Sequence, residues 1–537
     1  AAFRAHCKQA HGTIAALNRA WGTTYADFDA VSPFIPSKAP SPAARTEFVR
    51  WYVDTMTEWS RWWVATTRRI VGQTPIYLCT GGAGEPPLGA DFTAQAKAIA
   101  PYGAGIRITN ESSDYAANFS ITREVATATR LYKTFCGFEP AGEVNAEGVV
   151  ARVYNATASG ARQLHYYLPN LLDSGAAVTN YRRSAPNLVP RTPRRPKVAV
   201  YMAREHWIDN GGAMQTTYGM VRALRELADL DLVTRDSVND GVLASARVLV
   251  IPTVGPTDAD AAIARFAQAG GLVLRADAAA PADLVTARRE GPAPAHWRLD
   301  VGAVGDDPFL AGDWYHREPS GEFPNAKGTK RWSGPSPVVL LPTAPGKPLT
   351  IEVEAILSGH SFDGGAKASA LLDGQPLGEL KSGYNLLRVE LPADRIKGDL
   401  ARLTFTLKTW KPSDFGSGDA RDLGVALARV ELWQAGATGP AVVNQGLTMV
   451  ADPTQLKRQA AGRGAVIGLP VGGSEERQRA ILLPLLKAVA PDCLDDPGFD
   501  NVFATPLDKG WLLLNMSSVP VTRHGVTVEP YSIAEAK

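Results

Sequence analysis

Four short apolar runs recur at nearly constant spacing near the start of the chain: PIYLCTGG (75–82), GIRITNE (105–111), FCGFEPAG (135–142) and RQLHYYLPN (162–170). Their starts lie 30, 30 and 27 residues apart, close to the ~30-residue length of one βαβ step. Helix-patterned segments such as DFTAQAKAIAPYG and ITREVATATRLYK separate them. Such spacing allows little but a parallel sheet with crossover helices, and four consecutive units make half of an eight-stranded barrel. Half a barrel has two open edges, so four further strands are expected upstream of Ala1. The opening AAFRAHCKQAHGTIAALNRAWG lacks an apolar signal core and reads as the middle of a helix. TEFVRWYVDTMTEWSRWWVATTRRI is a long amphipathic helix, whose Trp51, Trp59, Trp62 and Trp63 are read as packing residues.

After the Pro/Arg-rich linker NLVPRTPRRPK, a second α/β pattern begins at Lys197. VAVYM, ASARVLVIPTVG and LVLRAD are strands, with helices between them, the last ending on a Gly-Gly cap. This order predicts a small doubly wound, Rossmann-like sheet of amidotransferase-like topology. From 296 to 437 the pattern changes to period-two alternation (LTIEVEAIL, ARLTFTLKTW, VALARVELW), which predicts an antiparallel β-sandwich inserted in that domain. The expected organisation is a half-barrel over 1–195, a Rossmann-like domain over 196–295 resuming at 438–497, the sandwich over 296–437, and a small β-domain over 498–537.

Lys+Arg 56 against Asp+Glu 54 leaves a net charge of +2, which gives no electrostatic case for nucleic acid or anionic lipid. No run of eighteen apolar residues predicts a membrane span. Cys7, Cys79, Cys136 and Cys493 are widely spaced, so neither a disulfide framework nor a metal site is expected. No cofactor is called for. The compartment is not specified by the chain, with the cytoplasm favoured over secretion.

In a parallel barrel, functional groups project from the carboxyl ends of the strands. Here these are Thr80, Asn110, Glu111, Glu139, His165 and Tyr167, with Tyr115, Asn118 and Arg123 following in a loop and helix. Glu139 suits a glycosidase nucleophile: it ends an apolar strand, and Pro140-Ala141-Gly142 after it would hold the carboxylate firmly with space for a sugar. The other reading of Glu139 is a strand-end carboxylate paired with an arginine. Asn110-Glu111 is either an acid/base pair or a substrate-binding pair. His165 and Tyr167 share one strand face, facing either the mouth or a structural partner.

LNRAWGTTYADFDAV, FCGFEPAGEVN, the KVAVYM…VLVIPTVG…AQAGGLVLRAD domain and the closing GWLLLNMSS…VTVEPYSI occur in an order that resembles glycoside hydrolase family 42 and related clan A β-galactosidases. The resemblance covers most of the chain outside the sandwich. It implies a retaining exo-glycosidase acting on terminal β-linked sugars, with Glu139 as nucleophile on barrel strand seven. It places the acid/base upstream of Ala1 and leaves Asn110, Glu111, Tyr115, His165 and Tyr167 as substrate-binding candidates. It also implies a glycoside or oligosaccharide as substrate and a homotrimer assembled through the Rossmann-like domain. Tyr25 and Ala146 stand where that family commonly has tryptophan, so an altered sugar subsite is expected, and its zinc-binding cysteine cluster has no counterpart here. The alternative is a non-catalytic carbohydrate-binding or scaffold protein derived from such an enzyme. Trp314, Tyr315 and Trp332 of the sandwich are exposed-looking aromatics that either stack on sugar rings or, the favoured reading, pack in a core or domain interface. An active amidotransferase is excluded, since residues 197–290 contain no cysteine.

Overall fold

The computed structural model describes the chain except residues 110–111, 140–143, 165–173, 190, 209–210, 282–283, 304, 320–322, 324–328, 417–418, 420, 472–473, 496–500 and 518. It divides into two compact units, one of residues 1–281, 456–471 and 485–537, the other of residues 282–455 and 472–484.

The first unit opens with three helices, α1 (Ala2–His11), α2 (Ile14–Trp21) and α3 (Pro42–Val71). Ser41 caps α3, accepting from Ala44 N, and Pro42 stands in its first turn, where a missing N–H costs nothing. Phe3, Leu17, Trp21 and Phe48 form their common core. Trp51 packs against that core, but Trp59, Trp62 and Trp63 are half exposed, at 52%, 50% and 55%. This corrects the expectation that all four tryptophans pack. The buried stripe of α3 runs through Phe48, Ser60 and Val64, leaving the other three to stack on one another, Trp59 to Trp62 at 5.0 Å between ring centres.

The apolar runs at thirty-residue spacing are four strands: β1 (Tyr77–Thr80), β2 (Gly105–Thr109), β3 (Cys136–Glu139) and β4 (Gln163–Leu164). They are parallel and lie side by side in chain order. Helices α4 (Phe92–Ile99), α5 (Tyr115–Leu131) and α6 (Ala146–Ala158) return the chain between them. Each starts on a short polar cap, Asp91, Asp114 or Asn145, which accepts a backbone N–H from the first turn. Alternation along the strands sends Ile106, Ile108, Cys136 and Phe138 into a core with Phe92, Ile99 and Val125.

A six-stranded sheet follows, built on β5 (Val198–Tyr201), β6 (Leu230–Val233), β7 (Val248–Ile251) and β8 (Leu272–Ala276). Its order is β6-β5-β7-β8, continued by strand Gly464–Leu469 parallel to β8 and by Arg458–Ala461 at the edge. This is a doubly wound arrangement in which chain order reverses between β5 and β7. The sheet resumes about twenty residues later than the alternation suggested. The reason is a ribbon, Val285–Arg289 paired antiparallel with Leu447–Ala451, that belongs to the second unit and lengthens the insertion at both ends. A three-stranded antiparallel sheet of Val502–Pro506, Trp511–Asn515 and Ser532–Ala536 ends the chain.

The elements of the first unit meet around buried charge. Asp229 pairs with Arg123 at 3.0 Å and with Arg225 at 3.0 Å, all three side chains being at most 1% exposed. Asp495 accepts a hydrogen bond from Asp229 N at 2.6 Å, and burial pushes its carboxyl up to about 6. A carboxyl raised in the folded state binds its proton more tightly there than in the unfolded chain. Its contribution is therefore favourable below the unfolded value of 3.8 and is lost as pH climbs through about 6. The loss is about 3 kcal/mol. Asp495→Asn retains an acceptor for Asp229 N and has nothing to ionise. It is expected to remove this loss, so that urea melts between pH 4 and 7 show a flatter profile than wild type. An unchanged profile would refute the assignment.

The second unit is a β-sandwich whose core includes Trp297, Phe309, Ile351, Val353, Leu403 and Val430. On strand Leu349–Leu357 the odd residues face that core, and Glu352 and Glu354 lie on the other face, both held by Arg429. The aromatics singled out in the sequence are structural. Trp314 packs on the core with its indole N–H donating to Ala311 O, and Tyr315 donates to Asp422 O. Trp332 packs with Phe323, Ala426 and Ala428.

Candidate functional site

A parallel sheet is ordinarily covered on both faces, and β1–β4 have helices on one. The other face carries Tyr77 and Cys79 from β1, Arg107 and Thr109 from β2, Gly137 and Glu139 from β3, and Gln163 from β4. Parallel register sets Arg107 beside Gly137 and Thr109 beside Glu139. Cys79 is exposed. Gly137 keeps this face open: a Cβ there would lie 3.2 Å from Gln163 Cβ and 3.3 Å from the Tyr77 ring. Tyr77 lies edge-on to Phe135 at 4.8 Å, and its partial burial raises its phenol above the usual range. A row of polar groups flanked by glycines is not the apolar surface that a helix-packing layer presents.

Glu139 stands at the carboxyl end of β3, with its side chain 17% exposed, in an ion pair with Arg107 Nη2. Arg107 was not among the residues singled out in the sequence. The signal was available, since alternation in GIRIT turns Arg107 and Thr109 to the same side, away from the buried isoleucines. Among the described residues, Arg107 Nε and Gln163 Oε1 are buried without a hydrogen-bond partner. Thr109 Oγ1 accepts from Gly82 N at 3.2 Å, tying the loop after β1 to the end of β2.

Four candidates, Asn110, Glu111, His165 and Tyr167, lie outside the described residues. Tyr115 is placed elsewhere. Its ring stacks on Phe503 at 3.7 Å, its hydroxyl accepts from Arg225 Nε at 3.0 Å, and it is 6% exposed. The first turn of α5 directs it into the packing against the C-terminal sheet, which corrects its expected place in a substrate mouth. Arg123 is a core ion-pair residue. Among the described residues, three acidic groups converge within 4.8 Å only at Asp306, Asp307 and Glu476. Arg331 already supplies a cation there, at 2.7 Å from Asp306 and 2.8 Å from Asp307.

A parallel βα sheet with one polar face, joined to a doubly wound domain that carries an inserted sandwich, defines a multidomain α/β class. No protein-family model matches the sequence, and no curated protein matches it. Solved structures do. The cold-adapted β-galactosidase of Rahnella sp. R3 aligns over 99% of this chain and 74% of its own, with TM-score 0.51 and 13% identity. The β-galactosidase of Bacillus circulans sp. alkalophilus aligns over the same shares, with TM-score 0.48 and 13% identity. A GH42 β-galactosidase from G. stearothermophilus gives TM-score 0.45 at 13% identity, over 99% of this chain and 74% of its own. The fold is therefore like that of the Rahnella β-galactosidase.

Proposed function

We propose that this protein is a retaining exo-glycosidase acting on terminal β-linked sugars, with a β-galactoside as the first substrate to try. The observation that carries the reading is the position of Glu139. It is a carboxylate at the carboxyl end of a parallel strand, on the polar face of the sheet, with a guanidinium on the neighbouring strand to fix its orientation. The likeness in fold to β-galactosidases supports the same choice of chemistry. In this reading β1–β4 close with further parallel strands into a barrel, and an acid on one of those strands faces Glu139 across the mouth. Glu139 attacks the anomeric carbon as the glycosidic C–O bond breaks, and the acid gives its proton to the leaving oxygen. The same group, now a base, then takes a proton from water, which displaces Glu139 from the sugar.

The ion pair with Arg107 also favours a second reading, a non-catalytic carbohydrate-binding or scaffold protein in which Glu139 only neutralises the arginine. A 2-deoxy-2-fluoro-β-galactoside with a good leaving group separates the two. The full-length protein is expected to accumulate a covalent adduct on the peptide containing Glu139, seen by mass spectrometry. No adduct, or one on another residue, would reject the nucleophile assignment.

A further inference from the structure

Four aromatic rings run from the interior of the sandwich to its surface. Trp332, packed with Phe323, Ala426 and Ala428, meets Trp410 edge-on at 6.4 Å between ring centres. Trp410 lies 5.3 Å from His360 and 6.1 Å from Phe415, and His360 stacks on Phe415 at 3.6 Å. That stack covers one face of Phe415, yet the residue is 56% exposed, so its other face is open. The backbone fixes the ring in place. Trp410 N donates to Leu423 O at 3.0 Å, and Leu423 N donates to Trp410 O at 2.8 Å. Buried Pro412 starts the short helical turn Pro412–Phe415, and Gly416 ends it at a φ of 86°, where glycine bears little strain. A ring already held in position loses little freedom when a ligand lies on it.

Polar groups rim this ring. His360 Nδ1 donates to Asp363 Oδ2 at 3.2 Å, and Lys408 Nζ donates to Asp363 O at 3.3 Å. The side chains of His360 and Asp363 are 39% and 55% exposed, which leaves a ring nitrogen and a carboxylate oxygen facing solvent. A purely apolar partner would strip these groups of water and return nothing. An anion would meet Asp363 and a cation would meet Lys408, so charge favours neither. A pyranose satisfies both parts of the surface. Its C–H face lies on an aromatic face, and the hydroxyls at its edge both donate and accept. The planes of Phe415 and Trp410 are 57° apart, which does not match a flat, crystalline array of chains. It suits a single soluble chain that turns from one sugar to the next.

We infer that the sandwich binds a soluble polysaccharide of β-linked pyranoses on the open face of Phe415, with His360, Asp363 and Lys408 holding its hydroxyls. The choice of β-linked sugars rests on the glycosidase reading above, whereas the platform itself does not involve Glu139. The test is native electrophoresis of the full-length protein in gels containing β-galactan, β-glucan or β-xylan, with dextran as the α-linked control. At least one β-linked polysaccharide is expected to retard the wild-type protein. Phe415→Ala should raise the Kd for that polysaccharide by at least about tenfold, and Phe415→Trp should keep it. Turnover of an aryl β-galactoside should be the same in all three proteins, so absent turnover would count against Glu139 and not against the platform. No retardation by any β-linked polysaccharide, equal retardation by dextran, or undiminished retardation of folded Phe415→Ala would each overturn the inference. So would light scattering that shows a wild-type dimer and a monomeric Phe415→Ala variant, because Phe415 would then be seated against a second copy of the chain.

Discussion

Replacing Glu139 with glutamine in the full-length protein is expected to lower kcat/KM on an aryl β-galactoside by at least about 10³-fold, equivalent to ~4 kcal/mol of transition-state stabilisation. The amide keeps the size and hydrogen-bonding reach of the carboxylate but cannot form the glycosyl ester, so the loss should fall on kcat with KM little changed. If Glu139 only neutralised Arg107, the outcome would differ in kind. The variant would lose stability, because a partly buried guanidinium would be left without its partner, and the folded variant would match the wild-type protein in turnover, whether that is measurable or nil. Residual activity of more than a few per cent in folded protein would therefore decide for the structural reading. Adding azide to Glu139→Gly sharpens the test. An azide ion entering the vacated space can attack the anomeric carbon and leave a glycosyl azide of inverted configuration, which a purely structural position would not yield.

Asp229→Asn should destabilise the first unit by about 3–5 kcal/mol. Asp229 is the shared partner of Arg123 and Arg225, and none of the three reaches water. Asparagine fills the same space, so the loss reports the missing charge and not a cavity. Arg225 would still donate to Tyr115 Oη, Ala228 O and Ala504 O, and Arg123 to Leu230 O. Those acceptors satisfy geometry but do not offset two buried positive charges. A fall in Tm on the order of 5–10 °C is expected by calorimetry. A change under about 1 kcal/mol would mean that water reaches the network.

Much of this architecture could be read from residue order. The strands β1–β4 were legible because each is a short apolar run ending in polar or glycine-rich sequence, at a spacing that leaves room for one helix. Alternation likewise exposed the sandwich, since a one-sided buried strand must alternate. Other features depended on what lies beside a residue in space. The stripe of tryptophans on α3 has the helical spacing of a packed face, yet the helix buries Ser60 and Val64 and leaves Trp59, Trp62 and Trp63 outside. Tyr115 follows a strand end by only a few residues, but the first turn of α5 points it at Phe503, nearly four hundred residues later in the chain. The edges of the insertion were blurred because the ribbon strand Val285–Arg289 has no buried residue, so no apolar run marks it. Within the site, Glu139 announced itself by ending a strand before Pro-Ala-Gly, whereas its partner Arg107 was hidden in the middle of one.

The insertion of a sandwich between β8 and strand Gly464–Leu469 has a consequence for how the chain is made. About 190 residues separate those two neighbouring strands, and at a synthesis rate of 5–20 residues per second they emerge roughly 10–40 s apart. Throughout that interval on the ribosome, the Leu272–Ala276 edge presents an unpaired row of amide and carbonyl groups. The sandwich, whose strands lie entirely within the intervening segment, can finish folding first. A nascent chain of this protein therefore waits with one sheet open, and chaperones have their longest opportunity to act on that edge.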